Sequence, residues 1–401
     1  MENERIEKAF TIKGTPMIIR HTLLKIKLRA TFGTSHSSTT SRTNSLIEIA
    51  FNGSHSGYGE VGLPPKKPGC YVADPTDIIA WLTSFFDYLE EVKEKEVEKM
   101  KIGGEDVPEV IAVLFNAMDT CPDNVKEYSV AARNGFEAAL YDLLGKFVNK
   151  PVYELLFGVK TFERPCFYSL GMGPEEETIK NLEFAMKYTH FIKVKLNSDV
   201  ERAEKVFKLL DNVCNKVKDY KGIWAADMNT GGSVEVAMQL LERVFKNYKG
   251  KFYMLEQPFP LVVPQEEMEK WKEVKKAYES EGFLIYGDES ISNTESIEEF
   301  KEIVSGVNLK LEKCGGFRGA LKCYETAQKL KLKIWIGIMV GTSVLSTMAA
   351  MLSPISSYDD CAGDLLVSDE SQPFEGGFIW DLAGGVIRSN QKPGLGLTLK
   401  K

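Results

Sequence analysis

Six charged residues between positions 193 and 310 share one feature, because each lies near the end of a short apolar segment. In chain order they are Lys193, Lys195, Asp227, Glu256, Asp288 and Lys310. The three acidic residues recur without a cysteine or histidine in the same pattern, so they offer only hard oxygen ligands. Such a set favours Mg²⁺, with Mn²⁺ as a substitute, over Zn²⁺. The sequence therefore predicts a magnesium site formed by Asp227, Glu256 and Asp288.

Lysines come before and after these carboxylates, and this order suggests proton transfer. Lys193 and Lys195 are two residues apart, which places both on one face of a strand. If that face is buried, the two ammonium groups need anionic partners. A metal-bound carboxylate substrate can lose its α-proton, because the metal stabilises the negative charge of the resulting ene-diolate. Lysines on either side of the substrate would serve as the bases.

A repeated unit in the region 165–370 has to position these residues. Short apolar runs, each followed by an amphipathic helix, occur at residues 166–171, 191–196, 223–228, 252–256, 284–288, 307–311 and 333–339, with a weaker run at 360–367. A doubly wound parallel sheet gives the same alternation. The number of units and the charges at the strand ends favour a barrel, because barrel active sites lie at those ends. We therefore predict an α/β fold with a modified (β/α)8 TIM barrel.

The rest of the chain predicts an N-terminal α+β domain and a C-terminal segment. Strand-like runs at residues 17–28 and 45–51 precede helical patterns at residues 80–101 and 129–146. The Ser/Thr-rich stretch 31–43, which includes Arg42, predicts a mobile loop over the barrel mouth. The predicted regions are an N-terminal capping domain (1–150), the barrel with the metal site (151–373) and a segment that returns to the capping domain (374–401).

Composition excludes several other classes of protein. The 401 residues carry a net charge of −7 and no basic stripe, so we predict no nucleic-acid partner. The uncharged stretch 334–352 is long enough to span a bilayer, but its glycines and hydroxyl residues favour a buried strand, a turn and a helix. Seven scattered cysteines and the charged N-terminus predict a cytoplasmic protein without disulfides. A homo-oligomer is compatible with the sequence.

Several motifs, taken in chain order, resemble the muconate lactonizing enzyme subgroup of the enolase superfamily. In the barrel region they are Lys193-Val-Lys195, Asp227-Met-Asn229, Glu256-Gln-Pro258, Asp288-Glu-Ser290 and the run 308–316, which reads Asn-Leu-Lys-Leu-Glu-Lys-Cys-Gly-Gly. Outside it, Gly57-Tyr-Gly59-Glu60 and the run 138–145 resemble the capping-domain signatures, and the run 392–396 resembles the usual ending. The resemblance covers nearly the whole chain.

The resemblance implies a role for each residue of the predicted site. Lys195 and Lys310 would be the acid/base groups on the two faces of the substrate, and Lys193 would hold its carboxylate. Ser169, Ser343 and Asp360 would also contact the substrate. Asn229 and Glu289 would support the metal ligands Asp227, Glu256 and Asp288, while Lys313 receives no role.

Within the subgroup, the run 308–316 is most similar to dipeptide epimerases. These enzymes invert the α-carbon of the second residue of a dipeptide, and their last barrel strand typically carries Asp-x-Asp, which holds the substrate's ammonium group. Here Asp360 matches the first aspartate, but Ala362 stands at the second. Leu345 stands where the family usually has a glutamate. Both differences fall on the part of the motif that selects the substrate.

The resemblance implies a small-molecule carboxylate substrate, with a dipeptide favoured, and leaves two alternatives. One is another reaction of the subgroup: that of a cycloisomerase, an o-succinylbenzoate synthase or an N-acylamino acid racemase. The other is a barrel that binds a ligand without catalysis. The second is disfavoured, because binding alone does not require three metal carboxylates together with two opposed lysines.

Overall fold

The computed structural model describes residues 5–34, 38–51, 53, 55–67, 70, 73–122, 130–382 and 384–400. The chain begins with an antiparallel sheet of neighbouring strands, in the order β1 (Arg5–Ile12), β2 (Thr15–Gly33), β3 (Ser38–Phe51) and β4 (His55–Val61). Lys13 and Gly14 join β1 to β2 with φ angles of 49° and 74°, the left-handed pair that a tight hairpin turn requires.

The Ser/Thr-rich stretch 31–43 differs from the predicted loop. Strands β2 and β3 extend into it and pair Phe32 with Thr39 and Gly33 with Ser38. Hydroxyl side chains are compatible with this pairing because β-branched threonine suits an extended backbone. Residues 35–37 of the predicted loop lie outside the described residues.

Helices pack against one face of this sheet. They are α1 (Pro75–Val92), α2 (Glu109–Thr120) and α3 (Val130–Phe147), with a small hairpin of β5 (Lys101–Ile102) and β6 (Glu105–Asp106) between α1 and α2. The helix predicted at 80–101 therefore starts earlier and ends earlier. It starts at Pro75 because Asp74 and Asp77 form a capping box. Helix α4 (Val152–Phe157) and β7 (Glu163–Pro165) lead into the next region.

Eight parallel strands form the barrel, and they are hydrogen-bonded in sequence order. The strands are β8 (Phe167–Leu170), β9 (Phe191–Lys195), β10 (Ile223–Asp227), β11 (Phe252–Glu256), β12 (Leu284–Gly287), β13 (Gly306–Leu309), β14 (Lys333–Gly337) and β15 (Tyr358–Asp360). A bridge between Cys166 and Asp359 joins the first strand to the last. The predicted modified (β/α)8 barrel with an N-terminal α+β domain is confirmed.

The helices that follow the barrel strands are α5 (Glu175–Ala185), α6 (Val200–Cys214), α7 (Val234–Arg243), α8 (Gln265–Ser280), α9 (Thr294–Phe300), α10 (Leu311–Cys314), α11 (Phe317–Lys329), α12 (Ser343–Ala350) and α13 (Gly363–Leu366). The eighth strand was predicted at 360–367, which is too late. It ends at Asp360, and α13 occupies much of the predicted segment. No helix among the described residues is both long and apolar enough to cross a membrane.

The C-terminal segment contains β16 (Phe374–Gly376), β17 (Phe378–Asp381), β18 (Val386–Ser389) and β19 (Leu397–Leu399). Within the described part of the chain, these strands pair with one another and with β7 and do not extend the N-terminal sheet. The segment nevertheless contacts α3, because the Leu395 amide donates a hydrogen bond to Asp142 at 2.7 Å. It also places the Phe374 ring 4.7 Å from the ring of Tyr58.

A buried apolar cluster fills the barrel interior beneath the predicted site. Its members are Phe167, Ala225, Met254, Tyr286 and Trp335. Ala225, Met254 and Tyr286 each precede a predicted metal ligand by two residues. Because side chains of a strand alternate between its two faces, the ligands share the inward face with this cluster.

Candidate active site

The three acidic residues come together at the carboxyl ends of neighbouring strands. Asp227 and Glu256 are the last residues of β10 and β11, and Asp288 follows β12 directly. All three are fully buried. Each offers an oxygen to a group whose members lie within 4.8 Å of one another. Three convergent carboxylates repel one another unless cations neutralise them, so this donor set fits Mg²⁺ or Mn²⁺.

The lysines reach the same cluster. Lys195 Nζ lies 2.5 Å from an oxygen of Asp227, and Lys310 Nζ lies 2.7 Å from an oxygen of Asp288. Lys193 Nζ lies 2.7 Å from an oxygen of Glu256. Lysines and carboxylates that the sequence places on separate strands thus form one buried charge network.

Burial and charge set the ionisation of this network. Burial raises the pKa of Glu256 to about 7, and the neighbouring carboxylates reinforce the shift against the charge of Lys193. Burial also opposes ionisation of Asp288, but the charges of Lys310 and Lys313 outweigh it and hold the pKa of that carboxyl below its usual range. The pKa of Lys310 is raised despite its burial, chiefly because Asp288 stabilises the ammonium form.

Strand order places the two predicted bases on opposite walls. Lys195 ends β9, the second barrel strand, and Lys310 follows β13, the sixth. Four steps around an eight-stranded barrel correspond to half of its circumference. Asp227, Glu256 and Asp288 lie at the carboxyl ends of β10, β11 and β12, the three strands between β9 and β13. A ligand held against these carboxylates therefore lies between the two lysines.

A cavity of about 390 Å³ opens above the charge network. Lys193, Lys195 and Lys310 line its floor, and Phe32, Thr34 and Arg42 of the N-terminal domain line it from above. Residues 64–67, which follow β4, complete this upper wall. The stretch 31–43 therefore contributes to the cavity, and its contribution comes from paired strands and their ends.

The remaining predicted substrate contacts have different outcomes. Ser169 and Asp360 both line the cavity, and the Ser169 hydroxyl donates to Asp360 at 3.1 Å. Ser343 lies at the start of α12, where its hydroxyl donates to the backbone oxygen of Phe374 at 3.2 Å. It is absent from the described cavity wall. Ser343 lies away from the other predicted contacts because α12 begins after the chain has turned towards the C-terminal segment, and its role as a substrate contact stays a prediction.

Asn229 and Glu289, the two predicted supporting residues, lie beside the acidic cluster. The side-chain amide of Asn229 donates to Asp227 at 3.1 Å and to Glu289 at 3.0 Å. It therefore joins a metal carboxylate to a neighbouring acid and fixes the orientation of both.

Lys313, which received no role, belongs to the same network. Its Nζ lies 2.6 Å from an oxygen of Asp288, and it is almost completely buried. The sequence signal that could have placed Lys313 in the site was its spacing of three residues from Lys310, which puts both side chains on one side of a helical turn.

A second unassigned residue, Lys67, donates to Thr230 at 2.9 Å and to the backbone oxygen of Asn229 at 3.2 Å.

The comparisons with known proteins agree with this geometry. The family model "Enolase C-terminal domain-like" matches residues 178–401. The chain belongs to the enolase superfamily. An enolase superfamily member of Dictyostelium discoideum is 36% identical to this chain. The alignment covers 95% of that protein and 94% of this chain. The predicted resemblance is confirmed.

Other relatives are named as epimerases. The L-Ala-D/L-Glu epimerase of Bacteroides thetaiotaomicron is 26% identical, with 93% of this chain and 85% of the relative covered. The dipeptide epimerase of Enterococcus faecalis, solved with Mg and L-Leu-L-Tyr, shares the fold with a TM-score of 0.74 and 20% identity. Coverage is 95% of this chain and 98% of that one. The chain is an enzyme of the isomerase class.

Proposed function

We propose that this enolase superfamily member is a magnesium-dependent epimerase that inverts the α-carbon of an amino acid derivative, with a dipeptide as the favoured substrate. The observation that carries the proposal is the pair Lys195 and Lys310 on opposite walls, with three carboxylates at the strand ends between them. Relatives named as dipeptide epimerases support the substrate class.

The proposed reaction assigns one task to each side chain. Asp227, Glu256 and Asp288 would hold Mg²⁺, and the bound ion would supply positive charge to the substrate carboxylate. Lys193 donates to the same carboxylate and orients it. One of Lys195 and Lys310 removes the α-proton as a neutral amine. The other, protonated, delivers a proton to the opposite face, which inverts the centre.

Proton exchange in deuterated water tests the proposal. The enzyme is incubated with Mg²⁺ and a dipeptide library in D₂O, and products are analysed by mass spectrometry and chiral chromatography. We expect one deuterium at the α-carbon together with the epimer. Chelation by EDTA is expected to abolish exchange, and Mg²⁺ to restore it. Full activity after chelation would contradict the metal assignment, and no exchange with any amino acid derivative would contradict the reaction.

A second candidate is racemisation of an N-acylamino acid, a substrate without a free ammonium group. The observation that favours it is Ala362 on the cavity wall, where an acidic residue was expected. An N-acylamino acid that exchanges and racemises while dipeptides do not would select this candidate. A cycloisomerase or synthase would instead convert its substrate without stereochemical inversion.

A further inference from the structure

Glu256, the middle one of the three proposed metal ligands, contacts a neutral side chain that has received no role. Asn308 lies on β13, two residues before Lys310, and is fully buried. Its side-chain nitrogen donates a hydrogen bond to Glu256 Oε1 at 2.5 Å. Only the nitrogen of an amide can donate to a carboxylate, so this contact fixes the direction in which the amide points. Asn308 is therefore part of the site although it carries no charge.

The Glu256 carboxylate is held from two sides of the barrel. Lys193 of β9 lies 2.7 Å from its Oε2, and Asn308 of β13 lies 2.5 Å from its Oε1. Strands β9 and β13 are each two strands away from β11, which carries Glu256. The two donors therefore reach the two oxygens from different directions. With a donor on each oxygen, the carboxylate cannot rotate without losing a charge-assisted hydrogen bond.

Lys193 alone would not fix Glu256, because other acids compete for the same ammonium group. Lys193 Nζ also lies 2.5 Å from Asp360 and 3.8 Å from Asp227. The ammonium group can shift towards any of these acids and stay paired. The Asn308 amide has no net charge and is not drawn towards them in this way. It is therefore the donor that sets the position of Glu256.

A glycine on the next strand leaves room for the amide. Gly337 ends β14, and a Cβ built on it would lie 2.4 Å from Asn308 Oδ1 and 2.7 Å from Nδ2. A larger residue at 337 would displace the amide. Within the described part of the chain, the amide oxygen has no hydrogen-bond partner. A buried polar atom without a partner lowers stability, so this arrangement serves Glu256 rather than the packing of Asn308 itself.

Asn308 acts on the reaction only through its neighbour. The described residues that line the cavity include Lys193 and Lys310 but not Asn308. A side chain that does not reach the cavity cannot touch a substrate held there. Its contact with the site is the hydrogen bond to Glu256, which makes Asn308 a positioning residue.

We propose that Asn308 positions Glu256 for cation binding, and that residue 337 is glycine because the Asn308 amide lies against it. The inference rests on the metal site of the proposed function and goes beyond its ligands. A ligand whose orientation is set before the cation arrives loses less freedom on binding. The hydrogen bond from Asn308 therefore raises the affinity of the site for the cation.

Mn²⁺ binding to the metal-free protein tests the inference without any substrate. The full chain is stripped with EDTA, and binding is followed by the electron paramagnetic resonance signal of free Mn²⁺. We expect Asn308→Ala to weaken binding about 10–100-fold, the usual effect of removing a partner of a metal ligand. Gly337→Ala should also weaken binding, because its methyl group displaces the amide.

The matched control is Asn44→Ala. Asn44 is also fully buried, and its amide donates to another buried carboxylate, that of Glu60, at 2.7 Å. This variant loses a comparable hydrogen bond outside the metal site, so its Mn²⁺ affinity should stay within about twofold of that of the unmodified chain. Denaturant titration compares the stability that each variant loses. If Asn44→Ala weakened Mn²⁺ binding as much as Asn308→Ala, the effect would follow from lost stability, and the inference would be overturned.

A double substitution tests the role of Gly337. In Asn308→Ala the amide is gone, so adding Gly337→Ala should change the Mn²⁺ affinity by no more than about twofold. Independent losses that multiply in the double variant would contradict the proposed contact. If Asn308→Ala does not fold, Gly337→Ala decides the question, because it retains every side chain of the charge network. Unchanged Mn²⁺ affinity in Gly337→Ala would then count against the inference.

Glu256→Ala keeps this test separate from that of the metal site. Equal Mn²⁺ binding by Glu256→Ala and the unmodified chain would contradict the proposed ligands, and the inference with them. If Glu256→Ala binds Mn²⁺ weakly while Asn308→Ala binds it as tightly as the unmodified chain, the ligands stand and the role of Asn308 is wrong. Weak binding by both variants, with tight binding by Asn44→Ala, is the expected result.

Discussion

At the scale of single residues, the site is a balance of buried charges. For example, Lys193 Nζ lies within 4 Å of three carboxylates, those of Asp227, Glu256 and Asp360. Buried charges are tolerated only when they are paired, so the removal of one member changes the state of the others. The two proposed bases, Lys195 and Lys310, are partners in this balance as well, through Asp227 and Asp288.

Replacement of either proposed base should stop inversion. We expect Lys195→Met and Lys310→Met each to lower the epimerisation rate by about 10²–10⁴-fold, the usual contribution of a positioned acid or base. Each variant can retain α-proton exchange with one stereoisomer, because the remaining lysine still faces one side of the α-carbon. The measurement is deuterium exchange from each pure stereoisomer.

The control for these variants is Lys208→Met, which removes an exposed lysine of α6. Its rate should match that of the unmodified protein. Native-rate epimerisation by Lys310→Met would contradict the two-base mechanism.

At the scale of elements, close packing of β4 on α3 anchors the capping sheet. A side chain at Gly59 would place its Cβ 2.0 Å from the backbone oxygen of Gly135, and one at Gly57 would meet that of Ala139 at the same distance. Strand and helix backbones therefore approach closely because both contribute small residues. Glu60, next along β4, accepts from the Thr342 hydroxyl at 2.5 Å and so joins this strand to the start of α12.

Enlargement of Gly59 should separate these elements. Gly59→Ala is expected to lower the free energy of unfolding by about 3 kcal/mol, because the added methyl group overlaps a helix backbone that cannot rotate away. Denaturant titration measures the change. The matched control is Gly173→Ala, whose Cβ would meet only the Glu177 side chain, at 3.5 Å. Equal stability of the two variants would show that β4 and α3 can separate without cost.

At the scale of the whole molecule, acidic residues are buried where the capping domain meets the barrel. Glu312 is buried, and burial raises its pKa to about 7, with a further contribution from the charge of Glu60. The Glu312 carboxylate lies 3.5 Å from the backbone nitrogen of Met339, which lines the cavity. The contact between domains is therefore sensitive to protonation.

This shifted pKa predicts a pH dependence of stability. Between the ordinary pKa of 4.5 and about 7, the folded chain keeps the Glu312 proton that the unfolded chain releases. Its stability therefore falls as pH rises through that window. Glu312→Gln should reduce this fall in the free energy of unfolding by up to about 3 kcal/mol.

Denaturant titrations at pH 4.5 and pH 7.5 measure this difference. Glu325→Gln, an exposed change on α11, serves as the control and should leave the fall unchanged. A Glu312→Gln variant with the pH dependence of the unmodified chain would contradict the raised pKa.

The sequence by itself determined the barrel and the core of the site. The six residues of that core are Lys193, Lys195, Asp227, Glu256, Asp288 and Lys310. Strand periodicity puts alternate residues on one face, and parallel strands bring their carboxyl ends together, so local patterns suffice for both. The domain limits 1–150, 151–373 and 374–401, the cytoplasmic location and the absence of a nucleic-acid partner stay predictions.

Only the tertiary structure decided which other side chains reach the cavity. Arg42 and Lys67 lie far along the chain from the strands they face, and their placement depends on how the capping domain sits on the barrel. Ser343 was placed by motif register, but the turn before α12 carries it to the C-terminal segment. Local periodicity contains no information about such contacts, because they arise from packing between elements that are distant in sequence.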